Sequence, residues 1–205
     1  MFHQSDLSMP GHYLPSQTAL LLLDFHNFNI NMSGSKCAAP LAVAAEMRTW
    51  AKSQGIHIIH CLVDINDTVI PTLKDPARIT NFLTAMRTSG GEEAEVLLEN
   101  SEYEMTFTRK PGYVSALKSP GLQEYLEGNG VKSLIMTGLS TSGCVMRTAL
   151  AAADEEFIVT VIRDACADRV DHVHDLLVGS VLGGRAWVCT GGEFRDGYQM
   201  ARTNN

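Results

Sequence analysis

The run "TALLLLD", Thr18 to Asp24, sets the tightest limit on what this chain can fold into. An unbroken apolar stretch with no polar alternation suits a strand covered on both faces, as in the middle of a parallel sheet. Comparable β-rich runs recur at "IHIIHCLVD" (56–64), "MTFTRK" (105–110), "KSLIMTG" (132–138), "FIVTVIRD" (157–164) and "RAWVCT" (185–190). Helical patterns lie between them. "PLAVAAEMRTWAKSQG" (40–55) turns Leu41, Ala44, Ala45, Met47 and Trp50 toward one face and stops at Gly55. "SPGLQEYLEGNG" (119–130) offers Ser119 as N-cap with Pro120 at the first helical position, and "DHVHDLLVGSVLGG" (171–184) ends at a glycine pair. The alternation predicts an α/β fold, a doubly wound, mostly parallel six-stranded sheet with helices on both faces and right-handed crossovers. With 205 residues, 45 % of them hydrophobic, the chain can bury one real core, so residues 1–205 are read as a single domain.

One excursion interrupts the rhythm. The second and third runs are separated by residues 65–104, which hold a helical segment, "DPARITNFLTAMR", and an acidic one, "SGGEEAEVLLENSE", expected to be a solvated surface. Such an insertion commonly forms a pocket wall, a lid or a subunit contact.

A net charge of -7 with no Lys/Arg block argues against nucleic acid as a partner. The longest apolar run is far short of the ~20 residues a bilayer requires, and "MFHQSDLSMPGHYLPS" lacks the basic-then-apolar pattern of a secretory signal, so a cytoplasmic chain without membrane contact is expected. Five scattered cysteines, at 37, 61, 144, 166 and 189, have no CxxC spacing, which disfavours both a disulfide framework and a structural zinc site.

In open parallel sheets ligands bind at the carboxyl ends of strands. Three reactive side chains fall there: Asp24 after the first run, Lys110 after the third, and Cys144 after "LIMTGLSTSG". A cap from Thr141 or Ser142 would put Cys144 in the first turn of a helix, where unpaired N–H groups and a neighbouring Lys110 lower a thiol pKa. Asp24 could take the thiol proton and return it to a leaving amine, while N–H groups of "LSTSGC" hold an oxyanion. Any one of these residues alone would more commonly be structural, because buried cysteines and capping acids are frequent. Their ordered placement after separate strands favours chemistry.

Those residues also carry a resemblance. "ALLLLDFHNFN", "FTRKPGYVSAL", "MTGLSTSGCVMRTALAAADEEFIVTVIRDACAD" and "HDLLVGSVLGGRAWVCT" together resemble the isochorismatase-like cysteine hydrolases across nearly the whole chain. The most specific part is Gly138, Thr141, Cys144 and Val145 in a G-x-x-T-x-x-C-V pattern, followed by Thr148 and Ala149. The resemblance implies a three-layer, Rossmann-like sandwich and a catalytic triad of Asp24, Lys110 and Cys144. It also implies a cis peptide at Leu139–Ser140, with the N–H groups of Ser140 and Cys144 as oxyanion donors. Two departures fall on the pocket: "DFH" stands where the family often has D-x-Q, placing His26 there, and a phenylalanine common after the lysine is replaced around Ala116.

Nicotinamidases similar to this fold bind a metal through an Asp-x-His element after the second strand. This chain has "DIN", Asp64 to Asn66, with no histidine until His172, so no metal and no other cofactor is expected. "GLSTSG" is followed by Cys-Val rather than Lys-Ser/Thr, which excludes a P-loop. His57 and His60, inside a strand pattern, read as structural, and His172 and His174 as surface or packing residues. His26 serves either the pocket or the structure. Phe28 could wall the pocket, and Asn66 and Thr141 could contact a substrate; each has an equally simple packing role.

The expected activity is hydrolysis of a carbon–nitrogen bond in a small amide or ureido substrate through a thioester. The alternatives are vinyl-ether hydrolysis of the isochorismatase type, for which a thiol is unnecessary, and a non-catalytic small-molecule or protein-binding relative. The resemblance further implies a homo-oligomer, dimer or tetramer.

Overall fold

The computed structural model describes residues 2–203. At its centre β1 (Thr18–Leu23) is buried along its whole length, as its unbroken apolar run requires. Around it stand β2 (His57–Val63), β3 (Met105–Arg109), β4 (Ser133–Leu139), β5 (Ile158–Ala167) and β6 (Trp187–Cys189), in the order β3-β2-β1-β4-β5-β6 and parallel throughout. The order reverses between β1 and β4, and at such a reversal the connections leave in opposite directions and open a crevice.

Helices cover both faces; among them α1 (Asn27–Ser33) and α6 (Asp171–Leu176) are short. On one face α2 (Ala38–Gln54) and α7 (Gly191–Thr203) bring Met47, Ala51, Phe194 and Tyr198 against Leu20, Leu22 and Ile135. On the other, α4 (Leu122–Gly128) and α5 (Met146–Asp154) place Leu122, Leu126, Ala149 and Ala152 against Leu21, Leu23 and Met136. Alanine at the inward positions of α5 lets that helix approach the sheet closely, which explains the alanine-rich segment after Cys144. At the reversal β4 passes β1 so tightly that a Cβ on Gly138 would lie 2.4 Å from the Leu23 carbonyl oxygen, and its φ of 152° is also one a side chain disfavours.

Three details differ from the sequence expectation. Ser119 does not cap α4: its amide closes a preceding turn on Ala116, its hydroxyl has no partner, and the helix starts behind Gly121 at φ 82°. The helix α7 is not announced by an apolar run. Its signal is a capping box, in which the Glu193 amide donates to the Thr190 hydroxyl at 3.1 Å and the Thr190 amide to the Glu193 carboxylate at 2.7 Å.

The third concerns the 65–104 excursion. It contains α3 (Pro76–Ser89), whose N-cap Asp75 accepts the Arg78 amide as the sequence "DPAR" suggests, but its acidic part is not wholly solvated. Glu93 of that stretch turns inward, as does Glu104 just beyond it, with side chains only 4 % exposed. His60 on β2 lies between them, Nδ1 at 2.9 Å from both Glu93 oxygens and Nε2 at 2.8 Å from Glu104. Carboxylates only accept, so both ring nitrogens donate and the ring is an imidazolium. Arg48 of α2 grips Glu104 through two nitrogens at 2.7 Å, and Lys52 approaches it at 3.5 Å. Burial lowers the His60 pKa, but Glu93 and then Glu104 outweigh it, leaving a net rise; Glu104, where burial works against Arg48 and His60, ends lowered.

The linkage follows from those directions. A raised histidine stabilises the fold fully below its unfolded pKa, ~6.5, and the contribution is lost as pH rises through the folded value above it. A lowered glutamate contributes above its unfolded pKa and is lost as pH falls through the folded value. Unfolding free energy measured against pH should therefore fall on both sides of this window. His60→Gln should destabilise the protein inside the window and flatten the alkaline limb. An unchanged alkaline limb in that variant would place the titrating group elsewhere.

Candidate active site

The register of the sheet brings the reactive residues together. Leu23 lies abreast of Cys61 on β2 and of Gly138 on β4, so Asp24 emerges at the crevice between the ends of those strands. Its backbone is left-handed, φ 56°, with the amide donating to the Cys61 carbonyl and the carbonyl accepting from Asn29 Nδ2 at 3.0 Å. Left-handed backbone outside glycine is uncommon, and here it aims the carboxylate into the crevice. From β4 the chain runs through Ser140 and a single π turn, Thr141–Val145, before α5 begins. The Leu139–Ser140 peptide is cis. The Ser140 carbonyl accepts from the amides of Gly143 and Val145, and the Ser142 amide donates to buried Asp168 at 2.8 Å, fixing the loop that carries Cys144.

Asp24, Arg109, Ser140 and Cys144 lie on a cleft of about 780 Å³. Its wall is largely apolar, with Ile79, Phe82 and Met86 supplied by α3, so the excursion does form a pocket wall. Lys74, Arg78 and Arg169 also line it and are exposed to solvent.

The cation in the site is Arg109. Its Nη1 and Nη2 reach the two Asp24 oxygens at 3.0 and 2.5 Å, its Nε donates to the Tyr113 carbonyl at 3.0 Å, and its side chain is 2 % exposed. Burial alone would lower the Arg109 pKa, but the charge of Asp24 beside it produces a net rise, so the guanidinium stays charged. Lys110, expected in this role, is absent from the cleft lining. Its ammonium donates to the Thr68 hydroxyl at 3.1 Å and lies 3.6 Å from Asp67, with the side chain 39 % exposed. The cause is the pleat: successive strand residues point to opposite sides, and Arg109, the last residue of β3, takes the inward position.

The thiol also departs from expectation. Cys144 is 3 % exposed, and its pKa is raised, first by burial and then by the negative charge of Asp24, with Arg109 and a hydrogen bond shared with Thr148 pulling the other way. Cys144 does not stand in the first turn of a capped helix: it precedes α5 in a π turn that has no side-chain cap and is broken at Gly143 by non-helical dihedrals. Burial and the charge of Asp24 therefore favour the neutral thiol at Cys144. Its alkylation by iodoacetamide should be slow at neutral pH and accelerate well into the alkaline range; a rate that levels off by pH 7 would show a preformed thiolate.

The weaker candidates stand outside the cleft lining. His26 donates from Nδ1 to the Gly91 carbonyl at 2.6 Å and accepts the Val63 amide at Nε2, pinning the excursion to β2. Phe28 packs edge-to-face behind Phe82, 5.2 Å between centroids. The Asn66 amide closes a turn on Asp64, and the Thr141 hydroxyl meets His174 Nδ1 at 2.8 Å. Among the described residues no set of three His, Cys, Asp or Glu side chains gathers as a candidate metal site, and no helix is long and apolar enough to cross a membrane.

Similarity to known proteins follows the same geometry. A cysteine hydrolase from Pseudomonas syringae superposes with a TM-score of 0.75 at 16 % identity, covering 92 % of this chain and 95 % of that one, a likeness of fold. Maleamate amidohydrolase of Pseudomonas putida is 33 % identical over 63 residues, 31 % of this chain and 30 % of that protein. A protein of Arabidopsis thaliana described as a probable inactive nicotinamidase is 33 % identical over 90 residues, 42 % of this chain and 44 % of that one. The matched segments thus span less than half of either curated relative. The Isochorismatase domain family matches residues 18–192, from the start of β1 into α7, and the chain belongs to that family.

Proposed function

We propose that this isochorismatase-family hydrolase cleaves a carbon–nitrogen bond in a small amide or ureido compound through a thioester on Cys144. The observation that carries the reading is the meeting of Cys144, Asp24 and Arg109 on one cleft. The thiol proton passes to Asp24 as Sγ bonds to the substrate carbonyl carbon, and the carbonyl electrons move onto oxygen. The amide of Ser140, which has no acceptor among the described residues, and that of Cys144 receive the oxyanion. Asp24 then protonates the leaving nitrogen as the carbon–nitrogen bond breaks, and water, giving a proton to Asp24, releases the acid and restores the thiol. Arg109 keeps both Asp24 oxygens in place and offsets the charge beside the sulfur.

Partial likeness to maleamate amidohydrolase supports amide chemistry. Lys74 and Arg169 along the cleft, where Arg78 is paired with Asp75 at 3.9 Å, favour an anionic substrate in an otherwise acidic protein. The test follows ammonia from a panel of anionic and neutral small amides, and pyruvate from isochorismate, for the wild type and Cys144→Ala. Ammonia release that disappears in the variant is expected. Pyruvate without ammonia would assign vinyl-ether hydrolysis instead, and neither product would leave a binding protein.

A further inference from the structure

Asp24 and Arg109 do not complete the surroundings of the sulfur. Thr148, four residues beyond Cys144 on α5, is fully buried with its hydroxyl oxygen 3.7 Å from Cys144 Sγ. Two facts orient that hydroxyl. The amide of Ala116, in the loop after β3, donates to Thr148 Oγ1 at 2.9 Å, so one lone pair of the oxygen is occupied by an incoming proton. The hydroxyl's own proton has no carbonyl acceptor among the described residues. Threonines 49, 80 and 84, also within helices, each donate to the carbonyl four residues back, at 2.9–3.0 Å, but Thr148 makes no such bond. What remains within its reach is Sγ.

We propose that Thr148 is a further catalytic residue, a hydroxyl donor to the Cys144 sulfur that the Ala116 amide holds in its donating orientation. The inference rests on Cys144 acting as the nucleophile. Its contribution changes along the reaction. In the resting site the sulfur is neutral and the contact weak. As the proton leaves for Asp24 the sulfur gains negative charge and the O–H···S bond becomes charge-assisted, which roughly doubles the strength of such bonds. In the thioester the sulfur is neutral again. When water attacks and the carbon–sulfur bond breaks, the departing electron pair returns to sulfur and the bond strengthens a second time. Thr148 therefore assists both halves of the cycle, and the 3.7 Å contact joins the turn that carries Cys144 to α5. The loop after β3 takes part through Ala116, which ties the chain following Arg109 to the nucleophile.

Three variants test this. Thr148→Val and Thr148→Ala remove the hydroxyl, and Thr148→Ser keeps it while losing a methyl group. Two readouts are needed: the rate of Cys144 alkylation by iodoacetamide at a fixed alkaline pH, which requires no turnover, and kcat and KM on any amide that the enzyme hydrolyses. Without the hydroxyl, alkylation should slow about tenfold and kcat fall roughly ten- to a hundredfold with KM nearly unchanged, and serine should restore most of both. Because the hydroxyl-free variants also leave the Ala116 amide without its acceptor, melting temperature is measured for all three, and alanine leaves room for water to serve that amide. Wild-type alkylation and kcat in a folded Thr148→Ala protein would overturn the proposal. So would a Thr148→Ser variant as slow as Thr148→Val. If alkylation responds as expected while no amide is turned over, the donor role stands and the amidase reading fails. Amide turnover that is indifferent to Thr148 would instead remove the donor role and leave the amidase reading standing.

Discussion

Arg109→Ala is expected to cost about a thousandfold or more in turnover, whereas Lys110→Ala should change it less than about twofold. The asymmetry follows from geometry. Arg109 reaches both oxygens of Asp24 in a buried site, while Lys110 pairs at a half-exposed surface with Asp67 and Thr68, a kind of contact worth little. Arg109→Ala strands a buried carboxylate, so about 3–5 kcal/mol of stability should go with the activity. Arg109→Lys keeps a charge but cannot span two oxygens, and is expected to fold while losing most of its rate. Steady-state rates and melting temperatures of the three variants check the assignment. Full activity in Arg109→Lys beside a dead Lys110→Ala would return lysine to the site.

The second large effect concerns the proton. Cys144→Ala should abolish hydrolysis, and Asp24→Asn should lose nearly as much, because residues that act as a unit fail together. Asp24→Asn nevertheless separates two roles. Removing its negative charge takes away a cause of the raised Cys144 pKa, so alkylation of Cys144 should quicken even as turnover stops, provided that the variant is folded. A variant that is slower in both reactions would mean that Asp24 organises the site rather than carrying the proton. Both rates are read on the same protein sample, with peptide mapping to separate Cys144 from Cys37, Cys61, Cys166 and Cys189, all of them buried.

How far the sequence could lead is clearest at these residues. The parallel sheet was legible because a strand covered on both faces must be apolar throughout, as "TALLLL" is, and the places of Asp24 and Cys144 were legible because one follows such a strand directly and the other lies in the loop after a second. The choice between Arg109 and Lys110 was not. One residue at a strand end decides which side chain faces the crevice, and the family pattern favoured lysine. Glu93 read as surface because a run of acidic residues does not disclose its partners; His60 meets it from β2, 33 residues away in the chain. His26 stood where a pocket residue was plausible, and its ring is consumed by two backbone bonds made across the fold. The thiol's raised pKa arises from burial, which no local motif encodes. In contrast, α7 carried a legible signal in Thr190 and Glu193 that apolar periodicity alone passes over.

Whether Cys144 carries the acyl group is read by peptide mass mapping of enzyme quenched in acid during turnover of an amide substrate. A thioester on Cys144 is expected to give a mass increase equal to the acyl group on the peptide containing that residue, formed before steady state and absent from Cys144→Ala. Ammonia released with Cys144 unmodified at every quench time, or an acyl group found on another residue, would contradict it.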